Sequence, residues 1–272
     1  MIRLQFAENA PSETAHVIAV DAGNTNVKIA FPSRTAPEQK TGVLVFQPKI
    51  DPIAEVTEML YREAWFTEQP VSWRIAATGD FPWQNLQAEI RQKRPDDRFE
   101  EINYRSVPLR VAADEPEKVG IDRILAGYGA VLRYHLPAML VVDAGSAITA
   151  DVISDGTFCG GAILPGLQAM AESYPRISPK LPRLTSFADM PDYPGKNTED
   201  AIRCGFYGCI TGILHQIFSH LAVEKDVYLI LTGGDAATLC GWFERRPLIP
   251  LNRIRFEPLP LPLILEAIFR TP

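Results

Sequence analysis

The stretch VIAVDAGNTNVKIAFP, residues 17–32, runs an apolar strand into a carboxylate at Asp21, turns through small polar residues and resumes as a second strand. A charge placed directly after a buried strand is costly unless it has a partner. The same order returns in MLVVDAGSAITADVIS, residues 139–154, with Asp143 in the place of Asp21. Taken singly, each Asp-Ala-Gly segment reads as an ordinary hairpin turn. Taken together, at long separation, they predict two related α/β halves rather than a short-period solenoid. Each half then presents one carboxylate, followed by small residues that let backbone N–H groups approach an anion.

Composition sets the frame for this reading. The chain has 272 residues, 46% of them hydrophobic, enough for one large domain or two of about 100 to 150 residues. A net charge of -6 without any basic run argues against nucleic-acid and polybasic membrane surfaces as partners. The opening MIRLQFAENAPSETAHV has no continuous apolar segment, and later apolar runs fall short of the roughly 20 residues that cross a bilayer. A cytoplasmic location is expected. Cys159, Cys204, Cys209 and Cys240 are scattered without a CxxC pair, which predicts reduced thiols rather than a disulfide framework or a zinc site.

Two carboxylate-bearing turns suit a metal ion and a polyphosphate. Phosphoryl transfer asks for aligned reactants, Mg2+ on phosphate oxygens, donors facing the equatorial oxygens and a base near the attacking hydroxyl. Asn24, Thr25, Ser146 and Ala147 supply turn amides. Lys28 either adds positive charge there or is a solvated strand residue, because strand alternation alone does not decide its face. In KVGIDRILAGYGAVLRYH, Gly120 and Asp122 precede a helix to about His135. Asp122 has two readings: a helix cap, or a general base with Arg123 available for a substrate carboxylate.

The remaining chain is punctuated as α/β. Residues 53–66 and 83–94 have helical spacing and WRIAATG, residues 73–79, reads as a strand. FCGGAILPG, residues 158–166, is a short strand between turn residues, and VYLILTGGDAATL runs a buried strand into Gly233-Gly234 and a helix. Open α/β sheets place ligands at such strand ends. The Pro-rich segment from Ser173 reads as an ordered excursion, followed by a helix from about Thr198 with Thr198 as its N-cap. His215 and His220 are off the i, i+4 spacing of a helical metal pair and read as structural.

In combination and in order, DAGNT (21–25), GIDR (120–123), DAGSAIT (143–149), GGAILPG (160–166), GKNT (195–198) and TGG (232–234) closely resemble type III pantothenate kinase, over about residues 17–262. The resemblance implies the acetate and sugar kinase, Hsp70 and actin superfamily. Its fold is α/β, with duplicated actin-like, ribonuclease H-like domains of mixed sheets flanked by helices, and a nucleotide cleft between them. Boundaries fall near an extension at 1–16, a first domain at 17–122 and a second at 123–272.

The implied activity is ATP-dependent phosphorylation of pantothenate to 4′-phosphopantothenate, the first step of coenzyme A synthesis, with Mg2+ and a monovalent cation, K+ or NH4+, in a homodimer. By resemblance, Asp21 holds magnesium, with Gly23, Asn24, Thr25 and Lys28 at the phosphates. Asp122 is the base, Gly120 and Arg123 contact pantothenate, and Thr198 reaches the partner's pantothenate pocket. Asp143 lies near the monovalent cation, with Gly145, Ser146, Gly233 and Gly234 at the nucleotide. The chain departs from the family pattern at Ser146, where Thr is usual, and before GIDR, where AADEPEK keeps Pro116 but lacks the Asn-Pro and nearby aromatic. Two other functions fit the residues: a non-catalytic nucleotide-binding regulator, or another small-molecule phosphotransferase on the same fold. The extension at 1–16 reads either as an unordered lead or as one more short strand.

Overall fold

The computed structural model describes residues 2–7, 16–33, 41–64, 66, 69–79, 81–257 and 263–272. Chain contacts divide the protein into two compact units, Met1–Leu132 with Pro260–Pro272, and Arg133–Leu259.

The first unit carries β1 (Arg3–Ala7), β2 (Val17–Ala22), β3 (Val27–Pro32), β4 (Thr41–Phe46), β5 (Ser72–Ala77) and β6 (Arg98–Glu101), in sheet order β1-β4-β3-β2-β5-β6. Strands β2, β3 and β4 form an antiparallel meander, β5 runs parallel to β2, and β6 parallel to β5. Its helices are α1 (Ile53–Glu63), α2 (Trp83–Lys93) and α7 (Leu263–Arg270). The short strand β7 (Arg110–Val111) leads toward α3 (Ile121–Tyr134). Nearly every residue of β2 is buried, which explains why it reads as a continuous apolar run rather than an alternating one. Ile18, Val20, Ile29, Phe31, Leu60 and Trp73 fill the core of this unit. The buried Asp97 accepts hydrogen bonds from Val71 N at 2.9 Å, Trp73 Nε1 at 2.9 Å and Arg94 Nε at 2.8 Å, so its burial is satisfied.

Of the two readings of the extension, Arg3–Ala7 takes the strand form, pairing antiparallel with β4; residues 8–15 lie outside the described residues. Helix α1 stops at Glu63, short of the predicted 66, because Ala64 is already extended at φ -80 and ψ 142; Trp65 lies outside the described residues. Arg74, on β5, donates to the carbonyls of Phe269 (3.1 Å) and Thr271, tying the end of α7 to the sheet.

The second unit carries β8 (Ala138–Ala144), β9 (Ala147–Ser154), β10 (Thr157–Pro165), β11 (Val227–Thr232) and β12 (Ile254–Phe256), in the order β12-β11-β8-β9-β10. Again the first three strands form an antiparallel meander, and the next two add in parallel beside its first strand. The strand order is therefore the same in both units, and the sequence echo is a duplicated topology. This is the actin-like, ribonuclease H-like mixed sheet flanked by helices. Helices α4 (Leu167–Ile177), α5 (Thr198–Leu221) and α6 (Ala236–Arg245) complete the unit. Ile202, Phe206, Ile210, Leu214 and Phe218, four apart along α5, form the stripe that enters the core.

Two expectations need correction here. Ser173–Ile177, read as the start of a Pro-rich excursion, belongs to α4, with Pro175 inside the helix. Pro175 sits in the last turn, where one lost backbone bond interrupts little. The N-cap of α5 is Asn197, not Thr198: Asn197 is extended at φ -137, and its side chain accepts from Asp200 N at 2.9 Å. Among the described residues no helix is long and apolar enough to cross a membrane.

Candidate active-site residues

In the first unit the chain reverses between β2 and β3 through a turn closed by Gly23 N donating to Asn26 O at 3.2 Å. Asn24 and Thr25 are exposed at its tip, while Asp21 beneath them is 4% exposed. The antiparallel register sets Asp21 opposite Lys28, and Lys28 Nζ donates to Asp21 Oδ2 at 2.9 Å. Lys28 is thus the charge partner that makes a strand-end carboxylate tolerable at this depth. Its register opposite Asp21 decides its face.

The end of β5 backs this turn. Thr78 N and Gly79 N both donate to Ala22 O at 3.1 Å. A Cβ at Gly79 would lie 2.8 Å from the carbonyl carbon and oxygen of Gly23, and 2.9 Å from Asn24 Cα. Gly79 therefore lets two backbone segments pack without a side chain between them. Sequence reading took WRIAATG as a strand alone; its terminal glycine was the available signal.

Asp122 stands in the first turn of α3, where its Oδ1 accepts from Arg123 N at 2.9 Å. Gly120 leaves room for that carboxylate, since a Cβ there would stand 2.5 Å from Asp122 Oδ1. Burial pushes the Asp122 carboxyl above its ordinary range, the bond from the Arg123 amide pulls it back, and the negative charge of Asp21 raises it again. Asp21 and Asp122 thus share one electrostatic neighbourhood within this unit. Gly120 also lines an open groove of ≈ 560 Å³, which extends past Thr78 to Tyr104 and Arg105.

In the second unit Asp143, next to last in β8, lies directly beside Thr232 of the parallel β11. Gly233 follows at φ +97, and a Cβ there would lie 2.3 Å from Asp143 Oδ1 and 2.5 Å from Ala144 O. Both the left-handed backbone and the close approach require glycine. Asp235 N donates to Ala144 O at 2.8 Å, and Gly166 N donates to Ser146 O at 3.1 Å. A Cβ at Gly166 would come within 2.3 Å of Gly145 O. The Asp143–Ser146 turn is therefore clasped by TGG on one side and by the end of GGAILPG on the other, with Ser146 and Gly234 exposed. Asp235 precedes α6 without capping it through its side chain, and burial pushes its carboxyl up. Sequence reading passed over Asp235, although it stands directly after Gly233-Gly234 at the entry to the helix.

Thr198 is an exposed first residue of α5 and takes part in neither turn. His215 Nε2 is 3.2 Å from Ser219 Oγ on the same helix. All four cysteines are free thiols.

Each unit thus offers a carboxylate under a turn of small residues, backed by glycines that bring other backbone close. Among the described residues no three His, Cys, Asp or Glu side chains converge as a metal cage. The donor set fits Mg2+ of the kind that arrives with a nucleotide, held by one or two carboxylates together with phosphates and water.

A family model for type III pantothenate kinase matches residues 17–220. A type III pantothenate kinase from Rhodopirellula baltica is 28% identical over 250 residues, covering 82% of this chain and 89% of the relative. The enzyme of that name from Anaeromyxobacter sp. (strain K) is 39% identical over 138 residues, 49% of this chain and 53% of the relative. Among solved structures, a Campylobacter jejuni protein described as a Baf family transcriptional activator superposes with a TM-score of 0.53 at 23% identity, over 92% of this chain and 94% of that one. That last likeness is one of fold.

Proposed function

The chain belongs to the type III pantothenate kinase family, and on that premise we propose that Asp122 is the general base of pantothenate phosphorylation. The family makes the chain a phosphotransferase acting with ATP and a divalent metal at the entry to coenzyme A synthesis, which sets aside the regulator. The observation supporting the base is the state of Asp122: half-buried, held by a first-turn amide and raised in proton affinity beside Asp21. A carboxylate so placed accepts a proton more readily than a solvated one. It would take the proton of the pantothenate hydroxyl as that oxygen bonds to the γ-phosphorus and the bond to the β-phosphate oxygen breaks, leaving ADP.

The other residues have supporting roles. Asp21 would hold Mg2+, which when bound neutralises charge on the phosphate oxygens. The amides of Gly23, Asn24 and Thr25 would face those oxygens, and Lys28 orients Asp21. Gly120 leaves space beside the base, and Arg123 positions the acceptor. In the second unit Gly145, Ser146, Gly233 and Gly234 would take the nucleotide, with Asp143 near a monovalent cation, K+ or NH4+; Ser146 keeps the hydroxyl of the usual Thr. We place Thr198 at the pantothenate pocket of the partner subunit in a cytoplasmic homodimer.

The test is ATP-dependent phosphorylation of pantothenate by wild type and a folded Asp122→Asn, with Mg2+ and with or without K+. Asp122→Asn is expected to lower kcat by about 10²- to 10⁴-fold. Turnover within a factor of a few of wild type would remove Asp122 from the role.

A further inference from the structure

We propose that Arg105, oriented by Tyr104, binds the carboxylate of the acceptor and so makes the kinase prefer an acid over its neutral analogues. This rests on the pantothenate reading above and adds a residue to it from a loop that carries none of the motif segments.

The groove beside Gly120 supplies the geometry. Gly120 lines it, and its missing side chain leaves space against Asp122 Oδ1. Ala77, Val119 and Ile121 line it with apolar surface. Tyr104 and Arg105 line it from the turn that follows β6. Hydrogen bonds of its own hold that turn. Asn103 Oδ1 accepts from Arg105 N at 2.9 Å, Ser106 Oγ donates to Asn103 O at 2.8 Å, and Ile102 N donates to Ile75 O at 2.8 Å, anchoring it to β5.

The guanidinium is held as well. Arg105 Nε donates to Tyr104 Oη at 3.0 Å, and Arg105 Cζ lies 5.4 Å from the Tyr104 ring centre. Fixing Nε and the plane in this way presets the two Nη groups, the fork that takes a carboxylate in two parallel hydrogen bonds.

Among the groove's lining residues Arg105 is the cation and Glu117 the acid. Gly120, on the same wall, leaves space against Asp122 Oδ1. Pantothenate carries a primary hydroxyl at one end and a carboxylate at the other, with a branched alkyl carbon, a secondary hydroxyl and an amide between them. Arg123 donates its backbone amide to the base, and Arg105 adds a second cation, on the groove wall and outside the motif segments.

The experiment is steady-state kinetics of wild type, Arg105→Ala, Arg105→Lys and Tyr104→Phe with pantothenate, and with panthenol, its neutral alcohol analogue, as substrate or competitive inhibitor. Pantothenate binding is measured in parallel by calorimetry, and folding by circular dichroism. Removing a hydrogen-bonded charge pair raises KM for pantothenate in Arg105→Ala by roughly 10- to 100-fold, with kcat within twofold. The constant for panthenol stays unchanged. Arg105→Lys falls between, because it keeps charge without the fork, and Tyr104→Phe shows a smaller rise confined to pantothenate. The proposal is overturned if KM for pantothenate in Arg105→Ala stays within twofold of wild type, or if pantothenate and panthenol weaken equally. A wild type that neither binds nor phosphorylates pantothenate overturns the functional reading and this proposal with it, whereas an active wild type beside an indifferent Arg105→Ala overturns this proposal alone.

Discussion

Gly79→Ala puts the smallest possible side chain between two backbone segments. Its Cβ would lie 2.8 Å from the Gly23 carbonyl and 2.9 Å from Asn24 Cα. Ordinary carbon contacts begin near 3.5 Å, so about 0.6 to 0.7 Å of separation must be found. Every atom in the way is backbone, and no rotamer can relieve the contact. Overpacking of this kind costs about 1 to 3 kcal/mol, or a fall in Tm of roughly 2 to 12 °C for a unit of this size. The displacement falls on the turn that carries Asn24 and Thr25. Misplacement approaching 1 Å at a positioning element costs up to about 10²-fold in rate, so kcat/KM for ATP is expected to fall by about 10-fold or more. The assay pairs thermal unfolding with ATP saturation curves. Gly241→Ala in α6 is the control, because a Cβ there meets nothing within 4 Å and a helical Gly→Ala stabilises by about 0.5 to 1 kcal/mol. If Gly79→Ala matched wild type in both Tm and ATP kinetics, the packing of β5 against the turn would be refuted as the source of its order.

Three further outcomes are expected. Burial raises the Asp122 carboxyl above its unfolded value, so its favourable contribution is complete below the unfolded pKa near 3.8 and is lost as pH rises through the higher folded value. Asp122→Asn, whatever its turnover, should therefore gain in Tm over wild type between pH 4 and pH 7; a pH-independent difference contradicts this. Lys28→Met leaves the Asp21 carboxylate, whose side chain is 6% exposed, without its ammonium. It should destabilise the protein by about 1 to 3 kcal/mol in urea titrations, and an unchanged midpoint would show that the ion pair contributes nothing. Gly233→Ala combines left-handed strain of about 1 to 2 kcal/mol with the approach to Asp143. It should lower Tm and raise KM for ATP, whereas a rise in Tm would contradict the tight TGG turn.

Asp21 and Asp143 were visible in the sequence because each lies within one strand-turn-strand segment, where the apolar run and the turn residues are neighbours along the chain. Asp122 was visible as an acid opening a helix, but its cap and base readings differ only in what surrounds the carboxylate. Local pattern could not choose between them; the burial of Asp122 near Asp21 favours the base. Asn197 and Thr198 show the same limit at shorter range. Either can cap a helix, and a single extended residue decided for Asn197.

By itself the amino-acid order determined the duplicated α/β plan, the strand-end carboxylates and the glycine-rich segments that carry the family's motifs. These are properties of hydrophobic period and turn chemistry within a dozen residues. Tertiary structure alone decided that Lys28 neutralises Asp21, that Gly79 supports the Gly23–Asn24 turn, that Gly233 and Gly166 clasp the second turn, and that Tyr104 and Arg105 share a groove with Gly120. Each of these depends on strand register or on the close approach of segments distant in sequence, and no local propensity encodes such distances.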